Sequence, residues 1–315
     1  MNVAVTGSIA YDYLMTFPGY FKEHILPDQI AKLSVSFLVD SMTKQRGGVA
    51  PNIAYNLALL GEQPLLMATA GQDFAEYRTW LEAHGVDTSA VVEVPDKFTA
   101  SFFVSTDREN NQIASFYTGA MADASTLSFR NLRTHVDLAI ISPNDPGAMR
   151  KYPHECKELG IPYIYDPSQQ IIRLMGDDLC GGIEGCELLI VNDYEFELIR
   201  NKTGMSEAQV LDCAGTLIVT RGGDGSTLWA NGQRTDVPAV KPMRVADPTG
   251  VGDAYRAGII KGMGLGLPWS VIGRMGSLAA TYVLEQPGTQ NHSYTWPEFV
   301  ARYRENFGDA LENVK

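Results

Sequence analysis

The chain has 315 residues, a formal net charge of −12 and a sequence pI near 4.9. That length allows one large α/β domain or two ordinary ones, with a core large enough to need neither disulfides nor a structural metal. The acidic balance argues against nucleic acid as a partner, because phosphate backbones reward Lys and Arg, yet it leaves room for a small anion held by a local positive field.

Met1 leads straight into Asn2-Val3-Ala4-Val5, with neither a basic n-region nor an apolar h-region. No apolar run reaches the roughly 18 residues of a membrane helix. A soluble, cytoplasmic protein without a membrane partner is expected. Cys156, Cys180, Cys186 and Cys213 lack Cys-x-x-Cys spacing and any zinc-knuckle histidine, so they read as reduced thiols.

In chain order, Val3 to Thr6 predicts a short buried strand ended by Gly7-Ser8. Residues 11 to 44 mix aromatics and prolines with alternating patterns such as Leu33-Ser34-Val35-Ser36-Phe37-Leu38, which predict half-buried strands. From Pro51 to Leu60 the period becomes helical, with Gly61 as the stop. Leu65 to Ala68 predicts a strand and Tyr77 to His84 a helix. A second alternating region, Thr99 to Tyr117, can join residues 11–44 in a small separate sheet. Strands at 137–142, 161–165, 187–191 and 216–220 then alternate with helices at 148–159, 194–200, 253–264 and 269–285. That rhythm predicts a mostly parallel sheet covered on both faces. No linker or internal repeat divides the chain.

The most informative segment is Asp247-Pro248-Thr249-Gly250-Val251-Gly252-Asp253, just before a helix. Glycines keep side chains away from the backbone amides, and a helix N-terminus adds unpaired donors and partial positive charge, which suits a phosphate. Two aspartates do not bind anions, but one can accept the proton of an attacking hydroxyl. The same residues could simply form a turn and an N-cap. The segment is neither a Walker A loop nor a dinucleotide fingerprint, whose last glycine is replaced by Tyr255.

The run Asp-Pro-Thr-Gly-Val-Gly-Asp-Ala-Tyr-Arg-Ala-Gly resembles the C-terminal signature of the ribokinase-like sugar and nucleoside kinases, the PfkB family. Carried over, the resemblance implies that Asp253 is the catalytic base and that Gly250, Val251 and Gly252 supply an anion hole for the γ-phosphate. Thr249 and Asp247 match positions near the nucleotide and, in some members, a monovalent cation such as K⁺. Pro248 stands where Thr is commoner.

Four further segments agree, in the family's order. Arg46-Gly47-Gly48-Val49-Ala50-Pro51-Asn52 resembles the N-terminal Gly-Gly signature, with Gly47, Gly48 and Asn52 at the acceptor sugar. Gly7-Ser8-Ile9-Ala10-Tyr11-Asp12 resembles the first strand and its substrate-binding aspartate, Asp12. Asn192-Asp193-Tyr194-Glu195 matches the Asn-x-x-Glu element, which implies Asn192 at the nucleotide and Glu195 near Mg²⁺, largely through water; capping offers the plain alternative. Thr220-Arg221-Gly222-Gly223-Asp224-Gly225 resembles a nucleotide-binding turn, with Thr220, Gly222 and Gly225 near ATP, and is equally an ordinary hairpin turn. The helix around Ser277, with Pro287-Gly288-Thr289-Gln290 beyond it, fits a wall around adenine.

The resemblance implies a three-layer αβα sandwich over residues 1–315, with a mostly parallel central sheet and a discontinuous β lid from about 11–44 and 97–118. It implies ATP as co-substrate, Mg²⁺, and a monomer or a homodimer through the lid. The lid's aromatics, Tyr11, Tyr13, Phe17, Phe37, Phe102, Phe103, Phe116 and Tyr117, favour a flat base over a bare sugar, with Phe116 as a substrate contact, although they could also pack on one another. The expected reaction is phosphorylation of a nucleoside 5′-hydroxyl, adenosine first. A sugar or sugar-phosphate kinase and a catalytically silent nucleoside sensor are the alternatives, with an NAD-dependent dehydrogenase disfavoured by the missing fingerprint. The five histidines, His24, His84, His135, His154 and His292, fall outside every motif and are expected at the surface or in packing roles.

Overall fold

A computed structural model describes residues 1–25, 32, 34–308 and 311. The first part of the chain runs β1 (Val3–Thr6), β2 (Ala10–Thr16), α1 (Phe21–His24), β3 (Ser41–Gly47), α2 (Val49–Leu59), β4 (Leu65–Met67) and β5 (Thr69–Gly71). It continues through α3 (Ala75–Ala83), β6 (Val92–Val94), β7 (Ala100–Thr106) and β8 (Gln112–Tyr117). Next come β9 (Leu138–Ile141), α4 (Pro146–Leu159), β10 (Tyr163–Tyr165), α5 (Gly176–Ile183), β11 (Leu188–Asn192), α6 (Asp193–Thr203) and α7 (Glu207–Cys213). The chain ends with β12 (Thr216–Thr220), β13 (Ser226–Ala230), β14 (Gln233–Val237), α8 (Val251–Gly264), α9 (Trp269–Leu284) and α10 (Trp296–Phe307).

Eight strands form the main sheet in the order β14-β13-β12-β11-β10-β9-β1-β4, parallel from β4 to β12 and antiparallel through β13 and β14. Side chains alternate across a strand, so each apolar run serves two cores. Val5, Ile140, Ile190 and Ile218 face the core that includes buried residues of α2, α8 and α9. Ala4, Ile141, Leu189 and Val219 face the opposite core, with buried residues of α4, α5 and α6. The result is a three-layer αβα sandwich. Motifs at the carboxyl ends of the parallel strands therefore emerge along one edge, where open α/β sheets hold ligands.

Both alternating regions contribute to a second, four-stranded sheet in the order β3-β2-β7-β8. β2 pairs antiparallel with β3, from Ala10↔Gly47 to Thr16↔Ser41, and parallel with β7, from Ala10↔Ala100 to Thr16↔Thr106. β5 and β6 form a small parallel pair. The strand expected at Leu33 to Leu38 is not formed: residues 34–39 have no ladder, and Leu33 lies outside the described residues. Val35, Phe37 and Val39 are nonetheless less exposed than their neighbours, and Phe37 packs edge-on against Phe17 and Phe21. Alternation there reports one-sided burial on an aromatic cluster, which produces the same pattern as a strand without needing a partner.

Candidate active site

The carboxyl ends of five parallel strands and the inner face of the small sheet enclose a cavity of about 740 Å³. Ser8, Pro143, Asp166, Asn192 and Thr220, at or just beyond β1, β9, β10, β11 and β12, border it from below. Asp12, Gln45, Phe102 and Phe116 border it from the small sheet, and Thr249, Gly250, Gly252, Asp253 and Arg256 from the start of α8. The described chain thus brings the separate motifs to one place.

Gly250 caps α8 with φ 79, a left-handed conformation that favours glycine, and no side chain caps this helix. Val251 N–H reaches back to Pro248 O at 3.4 Å, which leaves the amides of Gly252 and Asp253 and the positive end of the dipole for an anion. Asp253 sits in that first turn and accepts a hydrogen bond from Asn52 Nδ2 at 2.8 Å. Burial pushes the Asp253 carboxyl up to about 7, opposed by the Arg256 guanidinium and the Asn52 bond and reinforced by Asp166. A carboxylate near neutrality beside unpaired amides can take a proton from an alcohol whose oxygen approaches a phosphate.

Asn52 is held in turn. Its Oδ1 accepts from Gln290 Nε2 at 2.7 Å, and the same nitrogen donates to the Tyr77 hydroxyl at 2.6 Å. The Tyr77 hydroxyl donates in turn to Gly47 O at 3.0 Å. Behind Asn52, Asn56 Nδ2 donates to its carbonyl at 2.9 Å, and His292 Nε2 meets Asn56 Oδ1 at 2.9 Å. His292 is buried, and desolvation pushes its imidazole down to about 4, so it stays neutral in a packing role.

Gly48 takes φ 93, and a Cβ there would lie 2.5 Å from Ser8 O and 2.6 Å from Ala10 N. A Cβ on Gly47 would lie 2.5 Å from Asp12 Oδ2. Both glycines let β3 run into α2 in close approach to the Ser8–Asp12 segment, Gly48 against its backbone and Gly47 against the Asp12 carboxylate. Burial, then repulsion from Asp247, pushes Asp12 up to about 6. Asp247 itself is held low despite burial, because its oxygens accept the Thr249 N–H at 2.9 Å and the Gly288 N–H at 3.0 Å.

Asn192 and Glu195 form a reciprocal cap at the start of α6: Asn192 Oδ1 accepts the Glu195 N–H at 2.7 Å, and Glu195 Oε2 accepts the Asn192 N–H at 2.9 Å. Both also border the cavity, and Ser168 Oγ donates to Glu195 Oε1 at 3.1 Å. Capping and cavity-lining coexist here. One carboxylate with a neighbouring amide oxygen fits a Mg²⁺ ion that keeps water and phosphate oxygens as its other ligands.

Three expected nucleotide positions lie away from the cavity. Gly222 and Gly225 belong to the turn joining β12 to β13, where Gly225 passes so close to β14 that a Cβ would lie 2.1 Å from Val237 O. Ser277 is buried on α9, and its hydroxyl accepts the Val240 N–H at 2.8 Å and donates to Pro238 O at 3.2 Å. Thr289 and Gln290 brace the Gly-Gly segment and Asn52, through Arg46 O at 3.1 Å and the amide contact above, rather than standing apart as an adenine wall. Val251 packs on the core. Most of the small sheet's aromatics pack on one another: Tyr13 stacks on Phe103 at 4.7 Å, and Phe17 on Phe21 at 5.3 Å. Phe102 and Phe116, with Leu14 and Met121, are the ones facing the cavity.

Sequence reasoning missed Asp166, Arg256, Tyr77 and the role of Gln290. Asp166 is fully buried at the end of β10 and pairs with Arg256, whose Nη2 donates to its Oδ1 at 2.6 Å. Its position, the first polar residue after the apolar run Tyr163–Tyr165, was the available signal.

Residues 5–296 match the pfkB family of carbohydrate kinases. The chain belongs to this family. It is 37% identical to the Burkholderia thailandensis nucleoside kinase solved in complex with inosine, with a TM-score of 0.86 and coverage of 97% of this chain and 98% of that one. The same protein was solved with ADP-inosine, at 38% identity, a TM-score of 0.85 and coverage of 97% and 96%. The Methanocaldococcus jannaschii nucleoside kinase is 28% identical over 306 residues, 96% of each chain. This pfkB-family chain is a phosphotransferase that acts on an alcohol group. The family takes ATP as co-substrate, typically with Mg²⁺, which when bound neutralises phosphate charge.

Proposed function

We propose that this chain is a nucleoside kinase that moves the γ-phosphoryl group of ATP to the 5′-hydroxyl of a purine nucleoside, adenosine first, with Asp253 as the base. The observation that carries the reading is the Asn52–Asp253 contact of 2.8 Å. It joins the Gly-Gly segment to the phosphate-suited start of α8, so an acceptor hydroxyl and a terminal phosphate would meet at one carboxylate. Asp12 would accept from the ribose diol. Phe102 and Phe116 would lie against the base, with the Gln45, Gln169 and Gln170 amides at hand for its polar edge. An amide offers both donor and acceptor, which serves adenine and hypoxanthine alike. The similarity to a kinase solved with inosine supports a nucleoside acceptor. A phosphorylated sugar would want cations on the small sheet, but the arginines bordering the cavity are Arg173 and Arg256, both on the main body.

In this reading Asp253 takes the hydroxyl proton as the acceptor oxygen attacks phosphorus, and the amides of Gly252 and Asp253 stabilise the charge on the transferring group. The test is a side-by-side turnover assay with adenosine, inosine, cytidine, ribose and fructose 6-phosphate, following ADP release with Mg-ATP. Purine nucleosides should lead. Ribose or fructose 6-phosphate ahead by a wide margin would defeat the nucleoside reading, and no ADP release with any acceptor would leave a binding protein.

A further inference from the structure

Arg256 stands one helical turn beyond Asp253 on α8, at the spacing that puts two side chains on one face. Its side chain is 11% exposed and Asp166 beneath it 1%. Two of its three nitrogens face Asp166: Nη2 donates to Oδ1 at 2.6 Å, and Nε lies in ion-pair contact with Oδ2 without completing a hydrogen bond. The third, Nη1, has no protein acceptor among the described residues. A Cβ on Gly252 would come within 2.7 Å of that nitrogen, so Nη1 lies against the amide segment at the start of α8. The guanidinium also borders the cavity.

The charge around it is one-sided. Asp166, Asp253 and Glu195 all face Arg256, and all three border the cavity. A polyphosphate brought to the start of α8 would meet three carboxylates, and backbone dipoles alone offset that poorly. A guanidinium with one edge clamped by a buried carboxylate and the other open is a pre-organised donor for a phosphate oxygen.

We infer that Arg256 is a further catalytic residue, whose Nη1 donates to a non-bridging oxygen of the transferring phosphoryl group, and that Asp166 is its positioning residue. In the step, the acceptor oxygen forms a bond to phosphorus, the bond from phosphorus to the ADP oxygen breaks with its electron pair going to ADP, and the acceptor proton passes to a carboxylate base. Arg256 keeps its proton throughout and gains contact as negative charge gathers on the equatorial oxygens. The inference rests on phosphoryl transfer and not on which alcohol is the acceptor.

A buried ion pair tying β10 to α8 would serve stability alone, and the test separates the two roles. Arg256→Ala orphans a buried carboxylate, so it is combined with Asp166→Asn, and folding is checked by circular dichroism and by calorimetric binding of ADP. With whichever acceptor the native protein turns over best, kcat should fall about 10²- to 10³-fold, as for loss of one donor to a developing oxyanion, while acceptor KM changes little. Guanidinium chloride should restore part of that kcat, and sodium chloride at equal ionic strength should not. A folded double variant with kcat within about tenfold of native, or one that guanidinium does not improve beyond sodium chloride, overturns the inference. A native protein that rejects nucleosides but turns over another alcohol leaves this test intact, so the two failures are distinguishable.

Discussion

Asp253→Asn should make the protein slower and, above neutral pH, more stable. Burial raises the folded carboxyl from 3.8 to about 7, so ionising it in the folded state is unfavourable. The folded value lies above the unfolded one, so this group's favourable contribution is complete below pH 3.8 and is lost as pH rises through about 7. At pH 8 the difference of roughly three units corresponds to about 4 kcal/mol, and because part of the carboxyl is open to the cavity about 2 kcal/mol is the working figure. Asparagine carries no charge and can still accept from Asn52, so it should recover that amount at pH 8 and little near pH 4. Thermal unfolding followed by circular dichroism at pH 5, 6.5 and 8 should show a Tm gain of a few degrees that grows with pH. Turnover should fall by about 10²- to 10⁴-fold with ADP still bound. Equal Tm values at pH 8, or near-native turnover, would refute the reasoning.

With Asp253 as base, kcat/KM should fall on the acid side with a midpoint near 7, where an ordinary carboxylate would give one near 4; a pH–rate profile with acceptor below KM checks this. Gly48→Ala forces a side chain onto a φ of 93 against Ser8 O and Ala10 N, and should cost about 1–3 kcal/mol in urea unfolding as well as acceptor affinity. Gln290→Leu strips the donor shared by Asn52 Oδ1 and the Tyr77 hydroxyl; the two buried acceptors left unpaired should cost about 1–3 kcal/mol, with a fall in kcat as Asn52 loosens. Phe116 is 50% exposed and borders the cavity, so Phe116→Ala should leave Tm almost unchanged while weakening nucleoside binding by about 1–3 kcal/mol, read as KM for a purine nucleoside against ribose.

The layered fold was legible because each parallel strand is a short apolar run followed by a break. Val3–Thr6, Leu188–Asn192 and Thr216–Thr220 stand within a residue of their expected bounds. The chain after β12 was harder. β13 and β14 are an antiparallel hairpin with a polar outer strand, Gln233–Val237, whose residues are mostly exposed and carry no strong period. The turn at Gly222–Gly225 was open to two readings; its hydrogen bonds form a hairpin turn between β12 and β13, a geometry that by itself decides nothing about a nucleotide.

In the site, what could be read was what local backbone chemistry requires. Gly48 and Gly250 announce themselves because only glycine takes their φ values cheaply, and Asp253 because a carboxylate at a helix start is conspicuous beside them. What could not be read was the partnership between side chains far apart in sequence. Asn52 and Asp253 are 201 residues apart, Asn52 and Gln290 238, and Arg256 and Asp166 90. No periodicity links such pairs, because the sheet order alone decides which strand end faces which helix start. β10 lies centrally, between β9 and β11, and its carboxyl end faces the first turns of α8; a carboxylate buried there at the floor of the cavity finds its partner in that helix. Given only the strand order, the buried Asp166 would have demanded a cation, and Arg256, one turn past Asp253, is the helix residue placed to answer it.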